Sequence, residues 1–156
     1  MKFKFVVLLF LFISTGQIKA QSTPPNYIAK HILVSKNVAV SGYDVVAYYI
    51  QKKAVKGSET YSVTISGIKY YFSSLSNKNL FIKNPAYFLP QYGGWCAYAM
   101  GASGEKVEVD PETFKIINGK LYLFYNAFFN NTLKTWNKDE ANLKAQADIN
   151  WTKINK

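Results

Sequence analysis

Cys96, the only cysteine, sits in the run Gln91-Tyr92-Gly93-Gly94-Trp95-Cys96-Ala97-Tyr98, directly behind a glycine pair and among aromatic rings. Two adjacent glycines allow a tight bend and the close approach of a second group, so the spacing predicts a thiol set on a turn rather than in mid-element. Such a thiol could be a soft metal ligand, a nucleophile, half of an intermolecular disulfide or an inert buried side chain. Asp44, in Gly42-Tyr43-Asp44-Val45-Val46, is the second group with chemical reach. Its carboxylate could serve a metal, yet the same spacing makes it the cap of a helical turn over residues 43–49, with Val45, Val46 and Tyr49 facing a core. Tyr43, Tyr92 and Trp95 stand beside these two groups and offer large apolar bodies with polar tips, suited to lining a pocket for a flat ligand. A cysteine nucleophile needs a nearby base or a strongly positive setting. The sole histidine, His31, has no acidic neighbour and lies in a linker-like stretch, so it reads as an ordinary surface residue. A binding module is therefore favoured over a thiol-dependent enzyme, with a structural or interaction protein in which Cys96 is core as a further alternative.

The elements that must position these groups are legible from period and turn chemistry. Val38-Ala39-Val40 is a short strand ending at Ser41-Gly42. Residues 61–65 alternate apolar and hydroxyl side chains, Ser66-Gly67 turns the chain, and residues 68–72 return as a hairpin. Ser76 is expected to cap a helix running to Lys83, with Leu80 and Phe81 buried and Asn84-Pro85 as its stop. A second hairpin is written in residues 113–125 around Asn118-Gly119, the strongest short turn signal. Two helices, over about residues 127–136 and 138–149, should close the chain, with Asp139 and Glu140 opposing the dipole of the second. Residues 101–110 read as a surface loop whose acids lack the pattern of a calcium loop. The resulting expectation is an α+β fold: a small antiparallel sheet built from two β-hairpins, with helices packed on one side, in a single compact domain.

Residues 1–20 read as a secretory signal: Lys2 and Lys4, an apolar core over residues 5–13, and cleavage after Ala20. The apolar run of nine residues is far shorter than the roughly 20 a spanning helix needs, so no permanent membrane anchor is expected. Residues 21–36 form a linker with Pro24-Pro25 and a first extended segment, and the domain proper occupies 37–156 of an exported, periplasmic or secreted protein. The net charge of +10 falls to +7 once Lys2, Lys4 and Lys19 leave with the leader. All nineteen cationic residues are lysine, scattered rather than clustered, and no arginine is present for bidentate contacts to phosphates or guanine edges. Nucleic acid is thus not an expected partner, although weak attraction to anionic surfaces is.

Tyr70-Tyr71-Phe72-Ser73-Ser74, followed by Phe81 and by Asn84-Pro85-Ala86-Tyr87, resembles the YHS domain. The flanks around Gly42-Tyr43-Asp44, Gly93-Gly94-Trp95-Cys96 and Asn118-Gly119-Lys120-Leu121-Tyr122 are similar to the exported, stand-alone branch of that family. The resemblance spans about residues 37–154. It implies a binding module for a metal ion or small ligand, with copper or another transition metal as the cofactor class. Metal-handling members carry cysteines immediately after the Tyr-Phe pair and four residues later. Here those positions are Ser73 and Asn77, whose hydroxyl and amide cannot supply thiolates. A metal site would have to be rebuilt around Cys96 and Asp44, with Tyr43 and Tyr92 brought near by the fold. Haem could also be ligated by tyrosine, cysteine or histidine, but no spacing selects it.

Overall fold

The structure, a computed structural model, describes residues 32–156. The expected leader, the Pro24-Pro25 stretch and His31 lie outside the described residues. The chain begins with two short strands, β1 (Val34–Ser35) and β2 (Val38–Ala39), then a left-handed turn at Val40–Gly42 and a short helix α1 (Ala47–Ile50). A hairpin follows, β3 (Ser58–Ile65) and β4 (Ile68–Phe72), then α2 (Leu75–Lys83) and α3 (Pro85–Phe88). A second turn at Gln91–Gly94 leads into α4 (Ala97–Ala102). The second long hairpin is β5 (Asp110–Ile117) with β6 (Lys120–Phe124); a tiny one, β7 (Asn126–Ala127) with β8 (Asn130–Asn131), precedes α5 (Thr132–Trp136) and α6 (Glu140–Ile154).

The α+β class is as expected, and both long hairpins turn where their Ser66-Gly67 and Asn118-Gly119 pairs predict. Each turn residue has positive φ, the geometry that matches the twist of flanking strands. The hairpins do not share a sheet. β3 and β4 join β1 and β2 in a four-stranded sheet of order β1-β2-β4-β3, in which β2 meets β4 in parallel through Val38 and Lys69. β5 and β6 form a separate ribbon. Pro111, which has no amide hydrogen, sits where the register of that ribbon shifts between Asp110 and Phe114, the irregularity a strand proline requires.

β6 organises the interior. Strand side chains alternate sides, so Leu121 and Leu123 enter one core while Tyr122 and Phe124 enter another. The first core gathers Val45, Val46 and Tyr48 beside Phe72 and Phe81. The second gathers Tyr92, Met100, Trp136 and Ala147 from the Gln91–Gly94 turn, α4, α5 and α6. Helices therefore lie against both faces of this strand, with α2 and α3 toward the first core and α4 to α6 around the second. Tyr48 locks to the ribbon by donating its hydroxyl to the Pro111 carbonyl at 2.8 Å and by an edge contact with Phe114.

Several boundaries differ from expectation, beginning with α1, which covers Ala47–Ile50 rather than residues 43–49, and α6, which runs to Ile154 rather than to 149. Ser74, not Ser76, caps α2: it has extended backbone and accepts from the Asn77 amide at 3.1 Å. Residues 127–131 belong to the β7–β8 hairpin rather than to a helix, so the first closing helix begins only at Thr132, capped by Asn131 accepting from the Leu133 amide. The stretch read as a surface loop starts as helix, since Gly101 and Ala102 belong to α4. No helix of the described residues is long and apolar enough to cross a membrane.

Candidate functional site

Two left-handed turns border one cleft, the first through Val40 and the second through Tyr92 and Gly93. In the first, Val40, Ser41 and Gly42 have φ of 48°, 51° and 79°; in the second, Tyr92, Gly93 and Gly94 have 53°, 63° and 89°. Glycine adopts such geometry freely, whereas for Val40, a β-branched residue, it is a genuine outlier that persists only where surrounding contacts enforce it. Leu33 provides that enforcement from between the turns. Its amide donates to the Gly93 carbonyl at 2.7 Å and its carbonyl accepts from the Val40 amide at 3.4 Å. Val40 is in addition 1% exposed, wedged among the residues of the first core.

Between the turns opens a cleft of about 210 Å³, with Ile32, Ala39, Val40 and Tyr70 on one side, Leu89 to Gly93 on another, and Trp151 and Asn155 contributed by the C-terminal end of the chain. Tyr92 links turn and helix: its hydroxyl donates to Asp148 of α6 at 2.9 Å, and its ring meets Trp151 with centroids 6.2 Å apart. Burial first, and the Asp148 carboxylate second, push the Tyr92 phenol far above its ordinary range, so the ring remains neutral. Burial alone does the same to Tyr70. The walls are thus uncharged and mostly apolar. Two side-chain amides, Gln91 and Asn155, are the exceptions, and Asn155 is the more tightly held. Its Nδ2 donates to the Trp151 carbonyl at 2.9 Å, which fixes the amide orientation and leaves a buried Oδ1 with no hydrogen-bond partner. A lone buried acceptor is costly and is suited to a donor brought by a ligand.

Of the residues singled out from sequence, Tyr92 alone lines this cleft. Tyr43 donates its hydroxyl to Glu112 at 2.9 Å and carries the Lys56 ammonium 4.0 Å over its ring, joining the strand region to β5. Trp95 follows the glycine turn and has Lys106 5.9 Å from its ring centroid.

Asp44 is fully buried and fully engaged. One oxygen accepts the amides of Val46 and Ala47 at 2.9 and 3.3 Å, the capping role; the other accepts the Ser73 amide at 2.8 Å, the Ser73 hydroxyl at 2.7 Å and the Asn77 Nδ2 at 2.7 Å. These bonds pin the start of α1 to the junction of β4 and α2.

Cys96 is likewise 0% exposed. Its sulfur accepts from the Tyr125 amide at 3.3 Å and lies 3.5 Å from the Thr132 hydroxyl. That hydroxyl donates its one hydrogen to the Tyr125 carbonyl at 2.8 Å, so the thiol hydrogen points to Thr132. Cys96 and Asp44 thus have separate sets of hydrogen-bond partners. Among the described residues no group of three or more His, Cys, Asp and Glu could hold a metal ion. A soft metal at Cys96 would find a backbone amide and a hydroxyl where it needs further thiolate or imidazole, so the surroundings do not fit the metal the family resemblance implies.

The glycine pair has a testable role. A Cβ on Gly94 would meet Pro90 Cγ at 3.4 Å and Leu33 Cβ at 3.7 Å, at a φ of 89° that a β-branched residue avoids. Gly94→Val is expected to cost about 2–3 kcal/mol. A thermal melt coincident with wild type would remove the turn from this account.

Sequence reasoning missed Val40, Tyr70, Trp151 and Asn155. The Tyr-Gly-Gly run signals one left-handed turn, but Val40 carries no such signal, and the C-terminal helix reaches the cleft only through tertiary packing. A scan against protein-family models, a search of curated proteins and a search of solved structures each found no match to this chain.

Proposed function

We propose that this chain is an exported, non-catalytic module of the YHS kind that binds a small planar molecule, rather than a metal, in the cleft between the two left-handed turns. The observation that carries the reading is the unpartnered Asn155 Oδ1 beside uncharged walls that include Tyr92 and Trp151. An apolar cavity of about 150 Å³ suffices for benzene, so 210 Å³ suits one or two fused rings bearing an N–H or O–H donor. The Ser73 and Asn77 positions support the same view. They do come together: Asn77 Nδ2 donates to Ser73 Oγ at 3.2 Å and to Asp44 at 2.7 Å, and the Ser73 hydroxyl donates to Asp44 at 2.7 Å. The place where the resembled family would gather thiolates is here a hydrogen-bonded carboxylate, and the ligand role passes to the cleft. Export rests on the positive start and apolar run of residues 1–20.

Indole serves as a probe of suitable size with a single donor. Calorimetric titration should give one site with a dissociation constant of about 1 mM or tighter. Asn155→Leu keeps bulk and removes the acceptor, and should weaken binding about tenfold. Cys96→Ala should bind as wild type does. Absence of a site, or binding abolished by Cys96→Ala and untouched by Asn155→Leu, would overturn the proposal.

A further inference from the structure

The β7–β8 hairpin carries an anomaly that the cleft does not use. Its two-residue turn is Phe128-Phe129, with φ of 50° and 63°, between the paired residues Ala127 and Asn130. The same left-handed pair of conformations occurs in the other three hairpins, where it is filled by Lys36-Asn37, Ser66-Gly67 and Asn118-Gly119. Turns of this type favour Asn and Gly, and aromatic residues gain nothing there from the backbone. Nor do these rings gain from packing, since Phe128 is 92% and Phe129 111% exposed, the most exposed large apolar side chains among the described residues. The support beneath them is firm. Thr132 donates both amide and hydroxyl to the Tyr125 carbonyl, at 3.0 and 2.8 Å, and Asn126 Nδ2 donates to Thr113 Oγ1 at 3.0 Å. A braced turn thus presents two adjacent rings outward, at a conformational disadvantage that folding does not need.

The charge around the turn selects the kind of partner. Along the chain from Leu121 to Lys138 the only charged residues are Lys134 and Lys138, while Asp110, from β5, accepts from Asn126 Nδ2 at the base of the hairpin at 3.4 Å. Over residues 32–156 fifteen lysines stand against nine carboxylates, a net of +6. Two exposed rings at a tip of a net basic domain match the layering of a bilayer surface, apolar below and anionic at the headgroups, and two weak signals together give an affinity that neither gives alone.

We propose that the Phe128-Phe129 turn is a lipid-contacting tip that inserts into the headgroup boundary of an anionic bilayer, with the lysines supplying long-range attraction. Contact is peripheral and reversible. This inference is independent of the cleft.

The test uses the substitution pair Phe128→Asn and Phe129→Gly, which writes into this turn the residues already present at 118 and 119. The chain from Gln21 onward keeps every residue of both packed cores and omits the apolar run of residues 5–13, which would itself bind lipid. It is sedimented with phosphatidylcholine vesicles containing about one-third phosphatidylglycerol. Wild type should bind, more weakly as salt rises, and the double variant should bind about tenfold less or worse while melting at the same or a higher temperature. Equal sedimentation of the two proteins would overturn the proposal, because binding would then come from lysines alone. Absence of vesicle binding, with concentration-dependent self-association that the double variant loses, would also overturn it and assign the tip to a second copy of the chain.

Discussion

Asp44→Ala is expected to lower the melting temperature by about 10–20 °C, the largest effect of any single side-chain truncation in this protein. The carboxylate accepts five hydrogen bonds from within the fold, three of them from backbone amides. Removing it leaves those donors without acceptors at the junction of α1, β4 and α2, at a cost of about 3–5 kcal/mol. Total stability of a domain this size is on the order of 5–15 kcal/mol, so the variant approaches the limit of folding. Asp44→Asn is the sharper form of the experiment. It preserves shape but replaces one acceptor by an NH₂ group that must face donors, and should lose about half as much. A catalytic or metal-binding carboxylate would behave differently, because its amide variant would keep the fold and lose only ligand or activity. Melting of Asp44→Asn within about 1 °C of wild type would therefore contradict the structural role.

Gly101→Val is expected to disrupt both the second core and the cleft. A Cβ at this position would lie 2.4 Å from the Leu143 carbonyl oxygen and 3.0 Å from its carbon, and the obstacle is α6 backbone, which cannot rotate aside. Close approach of α4 and α6 at Gly101 lets Asn150 donate to the Met100 carbonyl at 2.9 Å and brings Asp148 to the Tyr92 hydroxyl. Forcing the helices apart should cost about 3 kcal/mol or more for valine and about 1–3 for alanine. Since α6 also carries Trp151 to the cleft, indole binding should weaken in parallel with stability. Ala102→Ser, on the exposed side of the same helix, should change stability by no more than about 0.5 kcal/mol. Equal melting of Gly101→Val and wild type would mean that α6 does not pack as described.

How far the sequence carried can be judged residue by residue. Hairpin turns at Ser66-Gly67 and Asn118-Gly119 were legible because positive φ demands small or amide residues, a local requirement written in local residues. Phe128-Phe129 fills the same geometry without that chemistry, which is why residues 127–131 read as helix. The cap of α2 was misplaced by two residues because Ser74 and Ser76 are equivalent in type, and only the extended backbone of Ser74 separates them. Partition into separate sheets depends on which faces of β6 are covered, a long-range matter that alternation alone leaves open. At the site, the glycine pair drew attention to the correct turn, but the group beside it that invited a mechanism, Cys96, points into the interior toward Tyr125 and Thr132. Asp44 was read both as cap and as chemistry; its capping contacts are present, and the further bonds to Ser73 and Asn77 span 29 and 33 residues and could not be inferred from spacing.

The most direct test of the central claim is an amide chemical-shift map of the protein titrated with indole. Val40, Tyr70, Tyr92, Gly93 and the side chains of Trp151 and Asn155 are expected to shift together along one saturable curve, while the amides of Cys96, Tyr125 and Thr132 stay in place. Shifts centred on Cys96, Tyr125 and Thr132, with the two left-handed turns unmoved, would contradict it and return the thiol to the middle of the function.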